Sequence, residues 1–272
     1  MDLSIVVPVY NSERIVEDLV QKIYFSIEKI NSVNSYEIIL VNDCSPDNSW
    51  KKIKILSKKF NFVKGISLKE NFGQHNAIMA GLNDSVGEKI VTIDDDLQHS
   101  PSSIENLLNE LDKGYDVCYV RYLNRKHKFW KIAVSWANNI VQSYLLNKPY
   151  GIYMSSFRAF KKKIKQEIIK YKGPYTFIDG LILQKTRNIS IIEVQHNKRL
   201  IGESNYSFVK LWALWANISS TFPFFPFRIA TLLRAILFII IFVVREIFSL
   251  FKKKKKLQYI ISEITFEKRI ND

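Results

Sequence analysis

The stretch Lys89-Ile90-Val91-Thr92-Ile93-Asp94-Asp95-Asp96 indicates the fold of this chain most directly. Its four β-branched residues after the lysine are typical of a short buried strand. Three consecutive aspartates then follow without any intervening turn residue. A buried strand that ends in a cluster of carboxylates predicts a sheet with a polar, ligand-binding edge.

The same alternation of strand and helix patterns extends to both sides of this stretch. The predicted strands cover residues 3–9, 36–41, 63–68, 89–93 and 116–120, and the predicted helices cover residues 15–30, 50–60, 74–84 and 104–111. Repeated β-α units with continuously apolar strands imply an α/β fold whose mostly parallel sheet is covered by helices on both faces. Ligands of such sheets bind beyond the carboxyl ends of the strands.

The regular alternation of predicted strands and helices ends after residue 120. A basic, aromatic loop is predicted over residues 121–131 and a helix over residues 130–146. A strand within residues 151–160 leads into a basic helix, and a helix over residues 176–185 precedes a strand over residues 189–194. These later elements would extend the same sheet.

Polar side chains follow three of the predicted strands. Tyr10 and Glu13 come after the first strand, Asp43 after the second, and the aspartate triplet after the fourth. Because residues two apart on a strand share a face, Asp94 and Asp96 can direct both carboxylates to one centre. Hard oxygen ligands, with positions left for phosphate oxygens, describe a Mg²⁺ or Mn²⁺ site. The alternative is that these aspartates favour the N-terminus of the following helix.

Composition restricts the classes of protein that the chain can represent. Of its 272 residues, 47% are hydrophobic and 24% are charged, which is typical of a globular protein. Two cysteines, Cys44 and Cys118, exclude a disulfide framework. We expect the catalytic part in the cytosol, because the sequence runs directly into its first strand without a signal peptide. The formal net charge of +14 fits nucleic acid, an anionic membrane or phosphorylated small molecules as partners.

The C-terminal part carries signals of membrane association. Aromatic residues are dense over residues 211–227, for which an ordinary aromatic core is the alternative, and residues 229–251 are long enough to cross a bilayer. However, Arg234, Arg245 and Lys252 are spaced so that they share one helix face. A single crossing would also place the lysine run at 252–256 outside, against the positive-inside rule. These patterns favour a helix that lies in the interface of an anionic membrane surface, or one that re-enters, over a true span.

Four ordered motifs resemble glycosyltransferase family 2, which has the GT-A fold. They are Val7-Pro8-Val9-Tyr10-Asn11-Ser12-Glu13, Leu40-Val41-Asn42-Asp43-Cys44-Ser45-Pro46-Asp47, Asn71-Phe72-Gly73-Gln74-His75-Asn76-Ala77 and Asp94-Asp95-Asp96-Leu97-Gln98-His99. The strongest resemblance is to the branch that loads polyprenyl phosphates with sugars, such as dolichyl-phosphate mannose synthases and their bacterial undecaprenyl-phosphate relatives. The resemblance covers residues 1–225 and is much weaker for the donor sugar.

This resemblance implies a nucleotide pocket at the ends of the first two strands. Asp43 would accept the N–H of the base of a uridine or similar nucleotide. Pro8, Tyr10 and Glu13 would line the same nucleoside pocket. For His75, in the third motif, we expect a structural or ligand-packing role, with a catalytic role as the alternative.

The resemblance also implies a divalent-metal site in the aspartate triplet. Asp94 and Asp96 would be the metal-binding outer members, Gln98 a further ligand, and Asp95 part of the same donor-binding segment. A Mg²⁺ or Mn²⁺ cofactor would offset the charge that develops on the nucleoside diphosphate leaving group. Asp96 is therefore a candidate catalytic residue.

Two later segments resemble family motifs that contact phosphates. In residues 196–206, Arg199 and Ser204 would hold phosphate oxygens of the donor or the lipid, which suits the planar donor fork of arginine, and Arg199 is also a catalytic candidate. Arg158 is implied as a ligand of the lipid phosphate, although the acidic and glycine residues that often precede the Phe-Arg pair are missing. If the acceptor is a sugar hydroxyl, Asp179 is the candidate general base. The alternative for Asp179 is a structural or helix-start carboxylate.

The sequence predicts three regions: a GT-A catalytic domain over 1–206, juxtamembrane and membrane-associated helices over 207–251, and a polybasic tail over 252–272. The predicted activity is inverting, metal-dependent transfer of a sugar from a nucleotide-sugar, UDP-linked, to undecaprenyl phosphate at the cytosolic membrane face. One alternative is sugar-to-sugar transfer that extends a lipid-linked or surface polysaccharide. An alternative of another class, a nucleic-acid-binding protein, lacks a recognisable reader motif, so that no nucleic-acid partner is expected. A homo-oligomer is a possible further partner arrangement that the sequence does not decide.

Overall fold

The computed structural model describes residues 1–123, 152, 154–173, 176–195 and 261–264. The strands in chain order are β1 (Leu3–Val9), β2 (Tyr36–Asn42), β3 (Val63–Leu68), β4 (Lys89–Thr92), β5 (Val117–Leu123), β6 (Arg158–Lys161), β7 (Ile189–Gln195) and β8 (Ile261–Ile264). They form one eight-stranded sheet in the order β7-β5-β6-β4-β1-β2-β3-β8. The two strands on either side of β1 pair with it in parallel, as the β-α alternation predicts.

Helices cover both faces of this sheet. They are α1 (Val16–Ile27), α2 (Ser49–Lys59), α3 (Gln74–Asp84), α4 (Ile104–Asp112), α5 (Lys162–Ile168) and α6 (Ile178–Lys185). The apolar residues of α1, α2 and α4 pack in one core on the first face, and those of α3, α5 and α6 pack in a second core on the other face. The predicted α/β fold with a mostly parallel, doubly covered sheet is therefore confirmed.

Strand β6 is antiparallel and lies between β4 and β5, which the β-α alternation does not predict. The sequence places a strand within residues 151–160, but the strand begins only at residue 158. The predicted loop at 121–131 is wrong at its start, because residues 121–123 extend β5 along β7. The predicted helix over 130–146 lies outside the described residues.

Strand β8 lies in the segment predicted as a polybasic tail, for which the sequence indicated no strand. Residues 261–264 pair antiparallel with the outer side of β3, with a register shift at Ser67 and Leu68. The chain thus returns to the catalytic sheet after the stretch predicted to contact the membrane. Residues 207–256, which carry the membrane predictions, lie outside the described residues. In the part of the chain that is described, no helix is long and apolar enough to cross a bilayer.

Helix α3 lies unusually close to the sheet because of Gly81. A Cβ atom at this position would come within 2.4 Å of the Cγ1 atom of Val6 on β1 and within 3.1 Å of the Cγ2 atom of Val41 on β2. Glycine therefore allows the close approach of helix and sheet. This approach fixes α3, whose first turn reaches the carboxyl edge of β1 and β2.

Candidate active site

The loops after β1, β2 and β4 are neighbours, because β1 lies between β2 and β4 in the sheet. Each loop contains one non-glycine residue with a left-handed backbone: Asn11 (φ 58°), Cys44 (φ 54°) and Leu97 (φ 57°). Such conformations cost roughly 1–3 kcal/mol each and cluster at functional sites. The strained backbone therefore marks the same sheet edge as the polar side chains.

Asp95 connects the loop after β4 to the loop after β1. Its Oδ2 atom accepts the backbone N–H of Tyr10 at 3.0 Å and a short hydrogen bond from the hydroxyl of Ser12. Burial raises the pKa of Asp95 to about 6; the two hydrogen bonds oppose this effect, and the neighbouring aspartates add to it. Because this carboxylate bonds within the protein, Asp95 organises the edge, and its contact with a donor stays a prediction.

Glu13 and Asp47 join the loops after β1 and β2. The carboxylate of Glu13 accepts hydrogen bonds from the backbone N–H and the side-chain amide of Asn48, at 3.1–3.2 Å. Asp47 accepts the backbone N–H of Glu13 at 2.9 Å and the backbone N–H of Ser49 at 3.0 Å. These bonds satisfy N–H groups at the start of α2, which the helix itself leaves without partners.

Asp43 lies at the end of β2 and is only 3% exposed. Its two carboxylate oxygens accept the backbone N–H groups of Phe72 and Gly73, at 2.8 and 2.9 Å. Burial raises the pKa of Asp43, and the two N–H groups oppose this effect. An ionised carboxylate has about four acceptor positions. Two positions therefore remain for the base N–H that the sequence predicts there.

Asp94 is held by donors from three segments. Its Oδ1 atom accepts the side-chain amide of Gln74 at 2.5 Å, and its Oδ2 atom accepts the hydroxyl of Ser156 at 2.5 Å. The Nε2 atom of His99 lies 3.3 Å from the same Oδ2 atom. Burial raises the pKa of Asp94, but the hydrogen bonds and charge of its neighbours outweigh burial and place the pKa below the usual value. Asp94 is therefore an ionised carboxylate in a fixed orientation.

The outer aspartates fit part of a divalent-cation site. Asp96 accepts the backbone N–H of Gln98 through its Oδ1 atom at 3.1 Å, whereas Asp95 bonds to the loop after β1. Among the described residues, no group of three or more His, Cys, Asp or Glu side chains is arranged to hold a metal. Asp94 and Asp96 offer hard oxygen ligands, and a Mg²⁺ or Mn²⁺ ion would need phosphate oxygens and water to complete its shell. The residues fit a cation that binds together with a diphosphate.

Arg158 is fully buried below this edge and forms an ion pair with Asp179. Its Nη1 atom donates a short hydrogen bond to Asp179, and its Nε atom donates to the hydroxyl of Thr92 at 3.1 Å. The hydroxyl of Tyr119 donates to the same oxygen of Asp179 at 3.0 Å. The pair therefore connects β6 to α6 and to two neighbouring strands.

This ion pair argues against two of the predicted roles. The sequence implies that Arg158 binds a lipid phosphate, but its side chain is only 1% exposed and cannot meet a ligand that arrives from solvent. The sequence offers Asp179 as a general base, but its carboxylate neutralises a buried guanidinium. A buried charge without its partner is costly, which explains why both residues are committed to each other. These contacts support the structural alternative for the pair, and the ligand and base roles stay predictions.

Three other predicted residues have different environments. Pro8 is buried within β1, opposite Val41 of β2, while Tyr10 is 47% exposed at the edge. The ring of His75 packs edge-on against Phe177, with 5.4 Å between the centroids. Burial lowers the pKa of His75 to about 4, so that the imidazole is neutral at neutral pH. This environment suits the packing role that the resemblance implies.

Three polar residues of the site escaped the sequence prediction: Ser12, Gln74 and Ser156. Ser12 and Gln74 belong to the quoted motifs, but nothing in their spacing indicates that they bond to aspartates of another strand end. The only feature of the sequence that could have pointed to Ser156 is its position two residues before Arg158. Arg199 and Ser204 lie outside the described residues.

The sequence profile described as Glycosyl transferase family 2 matches residues 4–169, more than half of the chain. A curated relative is the undecaprenyl-phosphate 4-deoxy-4-formamido-L-arabinose transferase of Proteus mirabilis (strain HI4320). It is 33% identical over 236 residues, which cover 86% of this chain and 72% of the relative.

Solved structures with low sequence identity share the fold. The crystal structure of S. aureus TarS 1-349 in complex with UDP-GlcNAc has a TM-score of 0.56 at 19% identity, covering 81% of this chain and 66% of that chain. Glucosyl-3-phosphoglycerate synthase from Mycobacterium tuberculosis, in complex with Mn²⁺, UDP-glucose and phosphoglyceric acid, has a TM-score of 0.58 at 17% identity. Here 80% of this chain and 79% of that chain are covered. The described residues thus have a GT-A-like fold.

The structural role of Asp179 predicts a stability effect. Asp179→Asn leaves the Arg158 guanidinium buried without its counter-charge, so we expect the free energy of unfolding to fall by about 3–5 kcal/mol. Denaturant unfolding monitored by circular dichroism measures this change. The control Glu167→Gln removes an exposed carboxylate that pairs with Lys170 on the surface, and little change is expected. A variant Asp179→Asn with wild-type stability but no activity would instead support a general base.

Proposed function

Because the chain belongs to glycosyl transferase family 2 and is a nucleotide-sugar glycosyltransferase, we propose that it moves one sugar from a UDP-sugar to a polyprenyl phosphate. The observation that carries this proposal is the convergence of Asp43, Asp94 and Asp96 at one edge of the sheet. The relative from Proteus mirabilis supports undecaprenyl phosphate as the acceptor. The product would be a lipid-linked sugar for polysaccharide biosynthesis.

The donor would bind with its base at the ends of β1 and β2. Asp43 would accept the N–H of the base with the acceptor positions that Phe72 and Gly73 leave unused. Tyr10, at the end of β1, is half exposed and would offer its ring to the nucleoside, while the bonds of Glu13 to the start of α2 keep the two loops together. The pocket would thus be organised before the donor arrives.

The diphosphate would lie over the outer aspartates. Asp94 and Asp96 would hold Mg²⁺ or Mn²⁺, which when bound neutralises the charge that develops as the sugar–phosphate bond breaks. Gln98, next in the loop, is the proposed further ligand. The hydrogen bonds that lower the pKa of Asp94 also fix its carboxylate, which favours the ionised form that a cation would bind.

A phosphate acceptor fits the pairing of Asp179 better than a sugar acceptor does. A lipid phosphate is an anion and attacks the anomeric carbon directly, so that the reaction inverts the sugar without a general base. A sugar hydroxyl needs a carboxylate that takes its proton. Asp179, the candidate for that task, neutralises Arg158. Arg199 and Ser204 remain the proposed ligands of the acceptor phosphate.

The position of β8 supports attachment to one face of the membrane. Because β8 pairs with β3, residues 261–264 lie in the same compartment as the catalytic sheet. The chain between residues 195 and 261 would therefore begin and end on the same side of the membrane. This requires that it cross the bilayer an even number of times or not at all. Within the proposed membrane region at 207–251, one stretch is long enough to span. We propose that it lies in the cytosolic interface or re-enters, with the lysine run at 252–256 against anionic lipid.

Transfer should depend on a divalent cation and on the outer aspartates. EDTA should abolish transfer, Mn²⁺ or Mg²⁺ should restore it, and Asp96→Asn should slow it at least ~100-fold, the scale of losing one main electrostatic stabiliser. The assay follows radiolabel from a panel of nucleotide-sugars into extracted polyprenyl phosphate in the organic phase. Asp112→Asn is the matched control, because Asp112 pairs with Lys89 at the opposite edge of the sheet.

Two results would contradict this proposal in different ways. Full activity in EDTA would remove the cation from the mechanism. Label that passes only to a sugar acceptor, and never to a polyprenyl phosphate, would favour the polysaccharide-extending alternative.

The topology can be measured with a tag on the C-terminus. In right-side-out vesicles the tag should resist external protease, because β8 keeps the C-terminal segment beside the catalytic sheet. Permeabilised vesicles serve as the control in which the tag is cleaved. Cleavage from outside while the catalytic domain stays protected would establish a single crossing and exclude the in-plane arrangement.

A further inference from the structure

The antiparallel ladder between β4 and β6 places a serine opposite one of the site aspartates. The last paired residues are Thr92 of β4 and Arg158 of β6. On the same face, Asp94 lies two residues after Thr92, and Ser156 lies two residues before Arg158. Their side chains therefore come together as if the strand pairing continued. The hydroxyl of Ser156 donates to the Oδ2 atom of Asp94 at 2.5 Å.

Ser156 is itself held in place by the buried ion pair. The hydroxyl of Thr92 donates to the backbone carbonyl of Ser156 at 2.6 Å, and it accepts a hydrogen bond from the Nε atom of Arg158 at 3.1 Å. Thr92 and Arg158 have no exposed surface, and Asp179 neutralises the guanidinium. The chain of bonds therefore runs from a buried, rigid pair to the carboxylate of Asp94.

The donors around Asp94 come from separate parts of the chain and restrict its rotation. Gln74 at the start of α3 bonds to Oδ1, while Ser156 and His99 contact Oδ2. The ring of His99 packs against Phe157, with 5.5 Å between the centroids. A carboxylate with both oxygens engaged in this way has a defined plane before any cation binds.

We propose that Ser156 is a positioning residue of the cation site. This inference rests on the proposed function, in which Asp94 is a cation ligand. The Ser156 hydroxyl orients the carboxylate so that its free acceptor positions face the cation and the diphosphate. Partners that orient metal ligands are typically worth 10–100-fold in metal affinity. In this role Ser156 acts through Asp94, to which its hydroxyl donates.

The experiment measures Mn²⁺ binding to the full chain in detergent, in the presence of UDP, by electron paramagnetic resonance of the free ion. Ser156→Ala should raise the Kd for Mn²⁺ about tenfold. Ser156→Thr keeps the hydroxyl and should bind close to wild type, and Ser156→Gly is a second hydroxyl deletion in case the alanine variant folds poorly. Ser102→Ala removes an exposed hydroxyl that bonds to Ser100, and it should leave the affinity unchanged.

Kinetics provide an independent measure of the same effect. In the transfer assay, Ser156→Ala should require more Mn²⁺ for half-maximal rate, and saturating Mn²⁺ should restore most of the kcat. UDP affinity without metal should stay unchanged, because Asp43 is intact. A purely structural role would instead lower stability and kcat without moving the Mn²⁺ requirement.

The inference is overturned if folded Ser156→Ala and Ser156→Gly bind Mn²⁺ as tightly as wild type. It is also overturned if Ser156→Thr is as weak as Ser156→Ala, since the hydroxyl would then not be the cause. If the wild type itself binds no Mn²⁺ with UDP, the cation site of the proposed function fails, and the inference fails with it. The wild-type measurement therefore distinguishes failure of the proposed cation site from failure of the role of Ser156.

Discussion

The candidate site depends on carboxylates that accept hydrogen bonds from loops other than their own. Asp43 after β2 accepts two N–H groups at the start of α3, and Asp95 after β4 accepts an N–H group and a hydroxyl from the loop after β1. Glu13 after β1 accepts donors from the loop after β2. Without these bonds, acidic side chains gathered at one edge would repel each other and separate the loops. The same hydrogen bonds offset this repulsion and hold the loops in a fixed arrangement.

This arrangement divides the acidic residues by task. Asp43, Asp95 and Glu13 hold the loops, and Asp43 keeps acceptor positions for a base. Asp94 and Asp96 are the proposed ligands of a cation. Arg158 and Asp179, one layer below, form a neutral buried pair that supports the end of β4. A chain with a formal charge of +14 thus gathers several carboxylates at the edge where the proposed diphosphate and its cation would bind.

The parts of the fold that the sequence predicts are those with strong local patterns. The strands β1 to β4 and the helices between them follow from β-branched runs and helical spacing. The sequence indicates a strand near β6 but neither its bounds nor its antiparallel position, and it does not indicate β8, because antiparallel pairing at those positions depends on partners far along the chain. At the site, the three consecutive aspartates are recognisable in the sequence itself. Their hydrogen-bond partners are not, because Ser156 reaches Asp94 only through the register of two strands.

Arg158 and Asp179 show the same limit. An arginine in a family-like motif reads as a phosphate ligand, and a lone carboxylate reads as a base. Neither pattern reveals that Arg158 and Asp179, 21 residues apart, are buried together. The desolvation cost of each charge is offset only by the other. That relation is a property of the packed interior between β6 and α6, and local sequence does not encode it.

The most direct test of this account is the position of the cation in crystals grown with UDP and Mn²⁺, located by anomalous scattering of manganese. The account predicts one peak bonded to carboxylate oxygens of Asp94 and Asp96 and to the diphosphate, with Asp95 still bonded to the loop after β1. A peak bonded to Asp95, or Mn²⁺ held by the diphosphate without either outer aspartate, would contradict the account.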